Sequence, residues 1–73
     1  MTLHEHINSF PRHLRTGIRN DLAQAAGVSE PAVRHWANGT RKVHPNKVLD
    51  LENATGGSVT RHDLRPDIFG PLP

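Results

Sequence analysis

One stretch limits what this chain can become. Residues 19–39 carry two apolar stripes separated by a glycine. In the first half Leu22, Ala23 and Ala26 recur at i, i+1 and i+4. In the second half Ala32, Val33, Trp36 and Ala37 recur at i, i+1, i+4 and i+5. Both spacings have the helical period and exclude an alternating strand. Gly27 stands where a chain leaving a helix needs a left-handed residue, which glycine adopts without strain. Val28 follows as a plug for the corner. Ser29 is a good N-cap residue, and Pro31 falls in the first turn, where its missing N–H costs nothing. The pattern predicts two helices crossing closely over Ala23.

These residues resemble the helix-turn-helix of phage and bacterial repressors. That pattern asks for a small residue, glycine four positions on, an aliphatic next, another aliphatic five later, and a bulky apolar residue three further. Ala23, Gly27, Val28, Val33 and Trp36 occupy those slots in order. The rival is an ordinary helical hairpin with no nucleic-acid role, since a motif is a hypothesis until its context is seen. The resemblance implies an all-α fold. The expected form is a compact lambda-repressor-like bundle of four to five short helices around a central helix-turn-helix.

Composition sets the outer bounds. A chain of 73 residues is expected to be one small domain, 1–69, with a frayed tail at 70–73. Its core supplies a small net stability. With no cysteine there is neither disulfide nor thiolate metal site. No apolar run reaches membrane-span length and no secretory pattern opens the chain, so a cytoplasmic protein with no membrane contact is expected. Nine Lys and Arg face seven Asp and Glu, a net charge of +2 too modest to indicate nucleic acid by itself. Distribution says more: Arg12, Arg15 and Arg19 precede or open the first motif helix, and Arg34, Arg41 and Lys42 lie in or just after the second.

Around the motif, Thr2 is placed to cap a helix running to about residue 9, with Leu3, Ile7 and Phe10 as its stripe. His4 and His6 point to different faces. None of the six histidines has a chelating spacing, so no metal or cofactor is expected. Residues 11–18 read as a loop, with the next helix starting near 16–20. Asn38 and Gly39 form a turn that ends the second motif helix. Val43 returns to the core. Pro45 opens another helix in which Val48 and Leu51, with Leu49 and Ala54 as further candidates, face inward and Lys47, Asp50, Glu52 and Asn53 are solvated. Thr60 and Asp63 have the spacing of a capping box over one helical turn that Pro66 closes. The run 54–67 is similar to the end of small Cro-like and YdaS-type regulators encoded by prophages.

The repressor resemblance implies a reading mode. The second motif helix enters the major groove with its N-terminal residues at base edges. Carried over, the base-contacting candidates are Glu30, Pro31, Arg34 and His35. Arg34 can donate two bonds to a guanine, Glu30 can accept from a cytosine amine, Pro31 can touch a thymine methyl, and His35 can donate or accept. Glu30 and Arg34 also sit at i, i+4 and can pair with each other instead. The phosphate-contacting candidates are Arg19, Ser29, Asn38, Thr40, Arg41 and Lys42. Trp36 is assigned to the core by its spacing with Val33.

The expected partner is double-stranded DNA, bound by a homodimer on a pseudo-palindrome, with residues 59–69 as the dimer surface. The alternative is an antitoxin-like module that neutralises a toxin partner and uses the motif for autoregulation. No nucleophile–base pair or phosphate loop is present, so no catalytic residue and no enzymatic activity are expected.

Overall fold

Ten apolar side chains, from Leu3 to Val59, close one core, with Val33, Val48, Leu51 and Val59 wholly buried. The computed structural model describes residues 1–71 and shows them as helix and turn with no strand. The order is α1 Leu3–Asn8, α2 Arg15–Ala26, α3 Glu30–Ala37, α4 Val48–Ala54, α5 Arg61–Leu64 and α6 Pro66–Phe69. Helix α2 is the hub: it packs on α3, on α4 and on α1. No helix among the described residues is long and apolar enough to cross a membrane.

The helices begin where local chemistry directs. Thr2 accepts from the Glu5 N–H at 3.1 Å while the Glu5 carboxylate accepts from the Thr2 N–H at 2.9 Å, a reciprocal cap on α1. The chain leaves α2 through Gly27 at φ +69°. The Val28 N–H reaches back to the Ala23 carbonyl at 2.9 Å and the Gly27 N–H to that of Gln24 at 3.2 Å. These two bonds satisfy carbonyls that the helix end would otherwise orphan, and they aim α3 across α2.

Several expectations need correction. Helix α2 starts at Arg15, earlier than the 16–20 start, and a 3₁₀ turn Arg12–Leu14 precedes it. The Arg15 guanidinium stitches this turn to the end of α1, donating to the Phe10 and Asn8 carbonyls at 3.0 and 3.1 Å. Leu49 is 47% exposed, and Ala54 also faces solvent, because α4 turns only Val48 and Leu51 inward. Lys47 and Glu52 are half-buried, and the Glu52 carboxylate accepts from the Arg61 N–H at 2.8 Å and from its guanidinium at 3.1 Å. Pro66 follows the end of α5 as expected and also opens a further helix, α6, so six helices stand where four to five were expected. Val59 is wholly buried, and Leu64 and Phe69 pack against the core. Only Ile68 of the expected dimer surface is a well-exposed large apolar residue. Gly70 is tied down by the His62 ring at 3.0 Å from its carbonyl. Residues 72 and 73 of the expected frayed tail lie outside the described residues.

Thr55 is a polar member of the interior. Its hydroxyl donates toward the Glu52 and Val59 carbonyls at 3.0 and 3.3 Å and accepts from the Val59 N–H at 3.2 Å. It closes the turn that brings Val59 under α4. Thr55→Val keeps the shape but strands the Val59 N–H, so it is expected to cost about 1–3 kcal/mol. For a domain of this size that lowers the melting midpoint by roughly 4–8 °C per kcal/mol. A thermal melt with an unmoved midpoint contradicts the role given to this hydroxyl.

Candidate nucleic-acid interface

Helix α3 turns Val33 wholly inward and leaves Pro31, Arg34 and Asn38 exposed on the opposite side. Ser29 holds the N-cap position at φ −81° and ψ 158°, and its carbonyl accepts the first helical N–H groups. Its side chain makes no capping bond, contrary to the expectation, and the residue is exposed at the helix start. Trp36 is half-buried against the core and less enclosed than its spacing predicts.

The largest departure concerns Glu30. It does not pair with Arg34. The Arg19 Nε donates to the Glu30 Oε1 at 2.7 Å, and another nitrogen of the same guanidinium donates to the Thr16 hydroxyl at 3.1 Å. The two side chains are only 22% and 20% exposed, so each candidate contact engages the other before any ligand arrives. The bridge joins the second turn of α2 to the first residue of α3. It positions α3 and neutralises the one carboxylate at its start. Arg34 is thereby left with no ion pair or side-chain hydrogen bond among the described residues. His35 is half-buried, and its carbonyl accepts the Thr40 and Arg41 N–H groups at 3.0 and 3.3 Å.

Those two bonds fold the segment after α3 back on its end. Gly39 at φ +77° permits the reversal. Asn38, Thr40, Arg41 and Lys42 are all exposed. Beneath them lies a clasp that the sequence reading missed. Arg65 donates to the Val43 carbonyl at 2.8 Å and to both Asp67 oxygens at 3.0 and 2.9 Å. The Lys42 ammonium stands 3.6 Å from the same carboxylate. The Arg65 bonds, helped by Lys42, hold the Asp67 carboxyl far below the usual carboxylate range. Asp67 in turn raises the Arg65 guanidinium. Only the Arg-Pro-Asp order signals this in sequence, and that order alone says nothing of Val43. No group of three or more His, Asp or Glu among the described residues is placed to hold a metal.

The fold and this surface define a small helical domain of the helix-turn-helix class, with a cationic flank after its second motif helix. The chain belongs to the family described as "Bacterial toxin YdaS", whose model matches residues 15–73. It is similar to the "Putative transcriptional regulator YdaS" of Escherichia coli (strain K12), with 38% identity over 52 residues. That match covers 71% of this chain and 53% of the relative, so the chain spans about half the length of the curated protein it matches. No solved structure matches the chain significantly.

Proposed function

We propose that this protein is a sequence-specific DNA-binding regulator that acts by binding, not by catalysis. Helix α3 enters the major groove. Arg34 reads a guanine, Pro31 contacts a neighbouring base edge, and Ser29, Asn38, Thr40, Arg41 and Lys42 grip phosphates. The observation that carries this reading is the exposed Arg34 guanidinium on α3, with no ion pair or side-chain hydrogen bond among the described residues, and with exposed Arg41 and Lys42 following the same helix in the chain. Arg19 and Glu30 act as a joint that sets the angle of α3; their own contacts to DNA are secondary. The relative's name, a transcriptional regulator, supports the same reading.

One domain covers roughly 600–1,000 Å² of DNA, so specific binding calls for two copies on a two-fold site. Selection from random duplex DNA tests this, with a two-fold symmetric consensus expected. Equal retention of scrambled and selected duplexes would overturn it.

Lys42 gives a separate check. Its pairing with Asp67 is at the surface, with side chains 75% and 45% exposed, and such pairs contribute little, about 0–1 kcal/mol. A phosphate can therefore take Lys42 from Asp67 at small cost. Lys42→Ala is expected to weaken binding to all duplexes alike and to lower the salt slope by about one ion. A loss confined to one sequence contradicts a phosphate role.

The family's description as a toxin favours a second reading, in which the chain arrests growth through a protein partner. In that case a partner co-purifies at fixed stoichiometry and growth arrest survives loss of DNA binding. The toxin description gives no support to the antitoxin role.

A further inference from the structure

A cleft of about 330 Å³ opens beside the last turn of α3, between the start of α1 and the segment after Gly39. Its volume is at the small end of the range for small-molecule sites. Its lining combines apolar Leu3, Trp36 and Leu64 with polar and cationic Asn38, Arg41 and Lys42. The single carboxylate in the lining, Asp63, is engaged: its Oδ2 pairs with the N-terminal ammonium and accepts from the Thr60 N–H and the Thr60 hydroxyl, at 3.1 Å each. The cleft thus presents an aromatic face beside Arg41, which has no ion pair among the described residues, and Lys42, whose surface pairing with Asp67 is weak. Phosphate gripping uses the cations; the part of the Trp36 indole that the core leaves uncovered faces the cleft instead.

We infer that this cleft binds a small aromatic carboxylate. The ring lies against Trp36 and Leu3, where offset or edge contacts between ring systems are favourable. The carboxylate meets Arg41, whose planar fork matches it, with Lys42 and the Asn38 amide as further donors. Binding itself is independent of the DNA reading. Its consequence rests on that reading: the carboxylate and a DNA phosphate compete for the same two cations, so occupancy releases the operator.

Trp36 is the chain's only tryptophan, so its emission reports on the cleft directly. Titration with phenylacetate is expected to give a saturable change. Benzyl alcohol keeps the ring without the charge and acetate keeps the charge without the ring; each is expected to bind about tenfold or more weakly. Arg41→Ala is expected to weaken phenylacetate by roughly tenfold, as loss of a charge-assisted contact should, with the melting curve unmoved. Arg41→Lys retains part of the affinity. A linear response, an equal response to benzyl alcohol, or an unchanged affinity in Arg41→Ala overturns the site. On a selected duplex, saturating phenylacetate is expected to displace the protein, and failure to do so overturns the coupling. A protein that binds phenylacetate but retains no duplex sinks the DNA reading and leaves the cleft standing.

Discussion

Leu51→Ala is expected to leave the protein largely unfolded near body temperature. Leu51 is wholly buried and is among the largest such side chains, on the face of α4 that meets α2. Truncating a buried leucine costs about 2–5 kcal/mol, the lost transfer energy plus the cavity left behind. A core of this size rarely supplies more than about 3–5 kcal/mol in total. The deficit is therefore comparable to the whole stability, which a larger protein would survive. Leu49→Ala is the matched control: the same side chain two positions earlier is 47% exposed, and its loss is expected to stay within about 0.5 kcal/mol. Circular dichroism at 222 nm during a thermal melt separates them. A Leu51→Ala midpoint within a few degrees of the parent would mean that α4 is not part of the cooperative core.

The contrast between Leu51 and Leu49 also marks how far the sequence was legible. Where period, cap and breaker agree, the elements follow from the residues. Thr2 with Glu5, Gly27, Gly39, and Thr60 with Asp63 each occupy the position their chemistry favours. Where the signal is a single apolar residue on a short helix, several faces fit the spacing and only packing decides. Leu49 and Ala54 were candidates for an inward face that seven residues on a narrow contact cannot fill. The start of α2 was obscured because Gly17 suggests a loop, whereas the Arg15 bonds to the α1 end hold that turn in helical form.

The site divides the same way. Outward positions of α3 were readable because periodicity that buries Val33 exposes Pro31, Arg34 and Asn38. Pairing was not readable. Glu30 has two arginine partners within reach, Arg34 four residues ahead on its own helix and Arg19 eleven residues back on another. The i, i+4 rule describes an isolated helix. Here the packing of α3 against α2 brings Arg19 to 2.7 Å, and the long-range partner prevails. The clasp of Arg65 on Val43 and Asp67 is of the same kind, a contact spanning 22 residues that no local pattern encodes.

That outcome bears directly on Arg34→Ala. With Glu30 held by Arg19, the Arg34 guanidinium meets DNA without first breaking an ion pair, and both of its arms remain available for the N7 and O6 of one guanine. Removing them is expected to cost about 1–3 kcal/mol of discrimination at a single base pair, roughly 5- to 150-fold. Affinity for unrelated duplexes should fall far less. The fold should not respond, because an exposed side chain with no partner among the described residues contributes within about 0.5 kcal/mol. Arg34→Lys is not expected to rescue the preference, since an ammonium lacks the planar fork. Quantitative binding to the selected duplex and to its single-base variants measures all three effects. A preference that survives Arg34→Ala would remove α3 from the groove. Overproduction in growing cells adds a second readout. If the toxicity that the family's description names is shared by this chain and runs through DNA, Arg34→Ala relieves it in step with the lost discrimination; if toxicity persists while discrimination is gone, it resides on another surface and the protein-partner reading takes over.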